Sequence, residues 1–200
     1  QPIVRNGDGS ESTFDHERAV GGLAVAPKGL RLAVARYDGV SLWWAGTDAP
    51  ATVLAWKGAH LDVLFSPDGK YVVTTMQENA LHGWRLDTGK DMRMSGYGAK
   101  PRSMSWSTKG RYLATSGANA AILWPFHYKD GPMGRAPLQL GVRDALVTRV
   151  AAHPQSEMVA IGYQDGLVMA ARFADGEEAL LRKAGGAPVS ALSWSARGDR

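Results

Sequence analysis

Cysteine is absent from this 200-residue chain, and so are long apolar runs and any large excess of charge. Without cysteine the chain has no disulfide, no thiolate metal site and no cysteine nucleophile. This is compatible with a reducing compartment, and we expect a cytoplasmic location. No stretch reaches the roughly 18 consecutive apolar residues of a membrane helix, so we expect no membrane association. The 23 basic and 19 acidic side chains leave a formal net charge of +4, which does not favour a nucleic-acid partner.

Glycine and tryptophan are plentiful, whereas phenylalanine is scarce. The chain has 24 Gly and 7 Trp but only 4 Phe. Frequent turns combined with large planar side chains are typical of proteins built from β-strands with regular corners. The composition therefore favours an all-β fold.

A repeat with five copies runs through the chain. Each copy contains an alternating strand and then a turn, most clearly Ser66-Pro67-Asp68-Gly69, where Pro presets φ and Gly accepts a positive φ. The closing turn residue falls at 29, 69, 110, 156 and 198, so the intervals are 40, 41, 46 and 42. The aligned segments are Val20–Gly29, His60–Gly69, Pro101–Gly110, Val147–Ser156 and Val189–Gly198.

The residues of each copy predict four strands. Alternation in steps of two predicts that one apolar face of the first strand points inward. The predicted inward residues are Leu23, Val63, Met104, Val150 and Leu192, followed by Val25, Phe65, Trp106, Ala152 and Trp194. Later strands are predicted at Leu30–Ala35, Tyr71–Thr75, Tyr112–Ser116 and Met158–Gly162, then at segments ending in Trp43, Trp84 and Trp124, then at Ala51–Trp56 and Asp91–Met94. Four strands per roughly 40–45 residues match one propeller blade.

These turns and strand ends resemble the WD40 repeat family. The motifs that carry the resemblance are the Ser66–Gly69 turn, the Asp38-Gly39 turn, and the strand ends Val40-Ser41-Leu42-Trp43 and Ala121-Ile122-Leu123-Trp124. The resemblance covers residues 16–200 and implies a WD40-like β-propeller of four-stranded blades. In the family, a buried set of His, Ser or Thr, Asp and Trp often links the strands of a blade.

That buried set is incomplete in every copy. The first copy offers His16 and Asp38 but has Val34 in place of the hydroxyl residue, and the second has Trp56 near the position of the histidine. We therefore expect apolar packing, more than a buried polar network, to hold the blades together.

The resemblance also predicts how the chain is divided. We expect the end of a preceding blade or a linker at 1–15, blades at 16–56, 57–96, 97–142 and 143–184, and the first strand of a further blade at 185–200. WD40 proteins usually close seven blades, so these four blades and the start of a fifth are expected to belong to a seven-bladed ring. A cut ring exposes apolar sheet faces. We expect an open arc whose remaining blades come from a missing part of the chain or from a second chain.

Motifs for catalysis or metal binding are not evident in the sequence. The five histidines, His16, His60, His82, His127 and His153, do not pair at the spacings of common metal motifs. No Gly-x-Ser-x-Gly elbow occurs, and no glycine-rich loop precedes a predicted helix. We therefore expect no catalytic residue, no metal and no cofactor, and a protein that is not an enzyme.

Two further segments have alternative interpretations. The basic residues Lys100, Arg102, Lys109 and Arg111 are interleaved with aromatics, but alternation places them at strand ends and turns. Solvated side chains are favoured there over a nucleic-acid surface. The enlarged loop 125–137 has the aromatic, Met and Arg content of a contact site, yet a tolerated insertion explains it equally well.

The resemblance implies a scaffold or adaptor that binds a protein or peptide on the face carrying the turns between second and third strands. Tyr37 and Tyr163 are the expected anchors, because tyrosine offers a large contact area at low entropy cost. The expected contact residues are Arg36, Tyr37, Met76, Gln77, Glu78, Asn119, Tyr163 and Gln164. The alternative is a propeller with an enzymatic or small-ligand site near its central channel.

Overall fold

The computed structural model describes residues 2–5, 7–14, 18–47 and 49–199. Within those residues the regular elements are sixteen strands in antiparallel sheets, without helices, which confirms the all-β expectation. No helix in the described ranges is long and apolar enough to cross a membrane. The chain divides into two compact units, one of residues 1–78 and 82–92 and the other of residues 79–81 and 93–200.

The first unit contains a short hairpin and nearly all of a larger sheet. The hairpin pairs β1 (Ile3–Arg5) with β2 (Glu11–Thr13). The larger sheet has the strand order β3-β4-β5-β6-β7-β8. Its strands are β3 (Val20–Val25), β4 (Arg31–Trp44), β5 (Thr52–Phe65), β6 (Tyr71–Met76), β7 (Leu81–Arg85) and β8 (Asp91–Met94).

Strand β4 doubles back on itself at Asp38-Gly39. The ends of a straight strand of this length would lie roughly 45 Å apart, yet Ala45 N donates to Leu30 O at 2.7 Å. Both turn residues have a positive φ, 64° at Asp38 and 136° at Gly39. A Cβ at Gly39 would also meet the carbonyl oxygen of Leu54 at 2.1 Å, so only glycine fits. The predicted turn between the second and third strands is confirmed here.

The predicted turn after the first strand is also present in the second and third copies. In the second copy Gly69 N donates to Ser66 O at 2.8 Å, and the Ser66 hydroxyl accepts from Tyr71 N at 2.9 Å. The third copy repeats both bonds, from Gly110 N to Ser107 O and from Tyr112 N to the Ser107 hydroxyl. Both glycines have a positive φ, which explains why glycine closes the turn.

The core of the first unit joins small residues of β4 to large residues of the later strands. The cluster includes Ala33, Ala35, Val40 and Leu42 with Val63, Phe65, Val72 and Trp84. Val63, Phe65 and Trp84 are buried as predicted. A second cluster packs Phe14 against Leu32, with the Phe14 and Trp43 rings 5.1 Å apart.

The predicted inward face is wrong for β3. Leu23 is 53% exposed and Val25 is 66% exposed, whereas Ala24 packs against the core from the opposite face. On the more buried face of β3, which Gly22 shares with Ala24, the backbone approaches β5 so closely that a Cβ at Gly22 would lie 2.8 Å from the Cα of Asp62. Such an approach requires small residues on the buried face, so the larger side chains of β3 point away from the core.

The second unit contains two four-stranded sheets, of order β12-β11-β10-β9 and β13-β14-β15-β16. Val150 is buried as predicted, while Met104, Trp106 and Trp124 are only half-buried. The strands of the first sheet are β9 (Met104–Trp106), β10 (Tyr112–Thr115), β11 (Ala121–Pro125) and β12 (Leu138–Leu140). Those of the second are β13 (Val147–Ala152), β14 (Met158–Tyr163), β15 (Val168–Arg172) and β16 (Glu178–Arg182).

The segment 189–195 is not a strand, contrary to the prediction. It has no ladder of backbone hydrogen bonds in the described part of the chain. Instead, side chains fasten it to β13: the Thr148 hydroxyl donates to Val189 O at 2.8 Å, and Trp194 Nε1 donates to Ala151 O at 2.9 Å. A strand requires a paired neighbour, and alternation in the sequence does not supply one.

A buried polar network is present in the first unit, although apolar packing was expected to dominate. Burial lowers the pKa of His60. His60 Nε2 donates to Trp56 O at 3.0 Å, and Nδ1 is hydrogen-bonded to the Thr74 hydroxyl at 2.7 Å. His16, which the resemblance would use in such a network, lies outside the described residues.

The second unit contains a related network. Trp124 Nε1 donates to the Tyr97 hydroxyl at 2.6 Å, and the Thr115 hydroxyl donates to Ile122 O at 3.0 Å. The Tyr97 hydroxyl therefore donates to Thr115 Oγ1, 2.6 Å away. Tyr97 precedes Gly110 by the same 13 residues that separate Trp56 from Gly69. Tyr97 thus holds in the third copy the repeat position that Trp56 holds in the second.

Candidate functional site

In the first unit, the Asp38-Gly39 turn holds Tyr37 at the surface. One carboxylate oxygen of Asp38 accepts from Gly58 N at 3.1 Å, and the other accepts from Arg18 at 3.0 Å. The Arg18 guanidinium also lies 5.2 Å from the centre of the Tyr37 ring. Tyr37 is 48% exposed. Hydrogen bonds to both carboxylate oxygens of Asp38 therefore hold the turn in place beneath an exposed aromatic ring.

Tyr37 and Gln77 flank the same residue of β5, Ala59, from opposite sides. Tyr37 is paired with Ala59 in the β-ladder, and Gln77 N donates to Ala59 O at 2.9 Å. Gln77 and Glu78 are both exposed, as a contact surface requires. A shallow hollow of about 450 Å³ adjoins this turn and includes Trp56 and Lys57 in its wall.

Two other predicted contact residues of this unit are less available. Arg36 is half-buried, and its guanidinium donates to the Ser41 hydroxyl at 2.9 Å and to Tyr37 O at 3.0 Å. Met76 is fully buried, so its expected role as a surface contact is wrong. The β6 strand extends to Met76, one residue beyond the predicted end, and the last side chain of the strand turns into the core.

In the second unit, Tyr163 is fully buried and cannot serve as the predicted surface anchor. Its hydroxyl donates to Gly141 O, and the Arg143 guanidinium lies 5.0 Å from the centre of its ring. Burial raises the pKa of Tyr163 well above its usual value. Tyr163 is the last residue of strand β14, and its side chain belongs to the core cluster of the second unit.

The neighbouring residues Asn119 and Gln164 are exposed, as predicted for a surface. Asn119 O accepts from Arg143 N at 3.0 Å, and Gln164 N donates to Leu146 O at 2.8 Å. Both side chains are therefore carried on hydrogen-bonded backbone. Gln164 lines a cleft of about 390 Å³.

Basic side chains dominate the charge of this cleft. Lys100 and Arg102 precede β9, and Arg149 lies on β13. The wall also includes apolar side chains, such as Leu146 and Val189, and hydroxyl groups. Of the described residues that line the cleft, none is acidic.

Sequence reasoning missed Arg149 as a neighbour of Arg102. The two residues lie in different repeats, and Arg149 aligns with Ser103, one position beyond Arg102. A bulge in the pairing of β13 and β14, between Val147 and Arg149, shifts the register at this point. A bulge of this kind re-aims a side chain. The one signal that the sequence offers is that basic residues occur at neighbouring positions of consecutive repeats.

The described histidines have structural partners and form no metal site. His153 Nδ1 accepts from the backbone N–H groups of Gln155 and Ser156 at 3.0 Å, the turn role predicted for it. His82 is buried and stacks on Trp56 at 3.9 Å between ring centres. Among the residues that the structure describes, no group of three or more His, Asp and Glu side chains could hold a metal ion.

No protein-family model matches the chain, and no curated protein matches it.

Proposed function

We propose that the chain is part of a WD40-like β-propeller that acts as a non-enzymatic binding module for a protein or peptide. The proposal of blades is supported by the two four-stranded sheets of the second unit, which fall within residues 97–142 and 143–184. The strand order within each sheet follows the chain, as a blade requires.

The proposed function rests on one observation, which is that Tyr37 is exposed on a turn held by hydrogen bonds. Hydrogen bonds to Asp38 fix the turn, so binding there orders few additional groups. Tyrosine contributes a large contact area with few rotatable bonds. The exposed side chains of Gln77 and Glu78 supply polar contacts beside it.

A peptide library displayed on phage tests this proposal with the purified 200-residue chain. Selected peptides are synthesised with a fluorophore and titrated by anisotropy. We expect Tyr37→Ala to weaken their binding by about tenfold, the loss typical of removing an aromatic contact. The melting temperature should change little, because Tyr37 is half exposed.

Tyr128→Ala is the matched control, since this tyrosine is 41% exposed on the enlarged loop. It should leave the affinity unchanged. If Tyr128→Ala weakens binding and Tyr37→Ala does not, the enlarged loop is the binding surface and the proposed face is wrong.

A further inference from the structure

We propose that the cleft in the second unit binds an acidic peptide segment through its carboxylates. This rests on the proposed function, because it names the chemistry of the partner for one part of the chain. Lys100, Arg102 and Arg149 bring three cationic groups to a cavity of about 390 Å³. This volume lies within the usual range for ligand sites. Walls of low polarity strengthen the field that one sign of charge creates in a cleft.

The three cations are not neutralised within the described part of the chain. No described Asp or Glu lies within 4.0 Å of Lys100, Arg102 or Arg149. Arg143, on the same unit, shows the contrast because it is paired with Asp165 at 2.9 Å. The charge of the cleft is thus available to an anion from outside.

Arg149 is held in position without an acidic partner. Its Nε donates to Ser190 O at 2.7 Å, and its Nη1 donates to Thr148 O at 2.7 Å. Both acceptors are backbone carbonyls, so neither contact places an acidic side chain against the guanidinium. A cation that is already oriented loses little entropy when it binds a carboxylate.

The backbone that carries Arg102 is also fixed. The Ser116 hydroxyl accepts from Arg102 N at 3.0 Å and from Ser103 N at 3.1 Å. The side chain of Arg102 is exposed and forms no hydrogen bond with a described residue. It can therefore donate to a bound group without breaking an internal contact.

The composition of the cleft favours a peptide over a nucleic acid. Single-stranded nucleic acids bind to grooves in which aromatic side chains stack on the bases. None of the described lining residues is aromatic. Instead, Leu146, Val147, Pro188 and Val189 provide apolar contacts that suit the methylene groups of glutamate side chains.

The remaining basic residues of the sequence cluster provide a matched control. Lys109 and Arg111 are exposed, and neither lines the cleft. Neutralising Lys109 and Arg111 removes the same net charge as neutralising Lys100 and Arg102. Only the position of the charge differs between the two pairs.

The test measures anisotropy of a labelled, end-capped peptide of alternating Gly and Glu, titrated with the 200-residue chain at two salt concentrations. A Gly-Gln peptide of equal length is the neutral probe. We expect the Glu peptide to bind at least about tenfold more tightly, with an affinity that falls as salt rises. Lys100→Gln with Arg102→Gln should reduce the affinity by about tenfold, whereas Lys109→Gln with Arg111→Gln should leave it unchanged. Circular dichroism and melting temperatures verify that both double variants fold.

Two results would overturn the inference. An equal loss in both double variants would mean that net charge, and not the cleft, attracts the peptide. A single-stranded oligonucleotide that binds more tightly than the Glu peptide, and loses affinity in the Lys100 and Arg102 variant, would mean that the cleft recognises a nucleic acid.

The inference and the proposed function fail separately. If the library-selected peptides depend on Tyr37 and the Glu peptide does not bind, only the acidic specificity is wrong. If the Glu peptide binds through Lys100 and Arg102 and no selected peptide responds to Tyr37→Ala, the Tyr37 surface is wrong and the cleft remains.

Discussion

At the scale of single residues, the buried hydroxyl groups distinguish this chain from a purely apolar β-sheet stack. Thr74 and Thr115 occupy equivalent positions in their repeats, and both join a ring side chain to the sheet. The ring is His60 in one unit and Tyr97 in the other. A fully bonded polar group costs little in a core, while removal of one partner leaves the other unsatisfied.

The Tyr97 network predicts a loss of stability at alkaline pH. Burial raises the pKa of Tyr97 to about 12, above the ordinary tyrosine value of 10.0. The neutral form is therefore favoured in the folded chain, and its contribution to stability is complete below pH 10. The contribution is lost as pH rises from 10 toward 12, because the unfolded chain ionises first.

Urea denaturation at a series of alkaline pH values measures this effect. The free energy of unfolding should fall by up to about 1.4 kcal/mol per pH unit from this group. Tyr97→Phe should be less stable at neutral pH, since Trp124 Nε1 loses its acceptor, and should show a shallower pH dependence. Tyr37→Phe is the exposed control. An unchanged slope in Tyr97→Phe would contradict the assignment.

At the scale of strands, the contact between β3 and β5 depends on two glycines. A Cβ at Gly21 would lie 2.2 Å from His60 O, and one at Gly22 would lie 2.8 Å from the Cα of Asp62. Backbone atoms cannot move aside as flexible side chains can. The two strands therefore pack at a distance that no other residue allows.

Gly21→Ala should destabilise the chain by about 1–3 kcal/mol, the usual cost of overpacking. Chemical denaturation followed by tryptophan fluorescence measures the loss. Gly98→Ala is the control, because no atom lies within 4 Å of the added Cβ. Equal stability of Gly21→Ala and the parent chain would show that β3 does not approach β5 so closely.

At the scale of the whole molecule, each unit has its own apolar core, and some large apolar side chains remain exposed. Leu23 and Val25 lie on the same face of β3, and both are more than half exposed. Neighbouring exposed apolar residues of this kind promote association or the binding of hydrophobic dyes.

We expect the purified chain to bind a hydrophobic fluorescent dye in its native state. Replacing Leu23 and Val25 together by Thr should lower the dye fluorescence while leaving the far-ultraviolet circular dichroism unchanged, because both side chains point away from the core. Leu180→Thr, also exposed but on β16, serves as the control. A double variant with undiminished fluorescence would place the dye elsewhere.

Most of the strands and several of the turns follow from local features of the sequence, although the segment 189–195 does not form its predicted strand. Period-two alternation and the spacing of Ser66, Gly69, Asp38 and Gly39 are local properties, because they depend on φ, ψ and hydrogen bonds between near neighbours. The predicted strand Asp91–Met94 has the same bounds in the structure.

The tertiary structure alone decided which faces are covered and which distant residues meet. Leu23 and Val63 have equivalent repeat positions, yet one is exposed and the other buried, because burial depends on the element packed above. Tyr163 carries the same type of side chain as Tyr37, but it lies in the core beneath Arg143. The cleft brings Arg102 and Arg149 together across 47 residues of chain, and local spacing contains no information about such a contact.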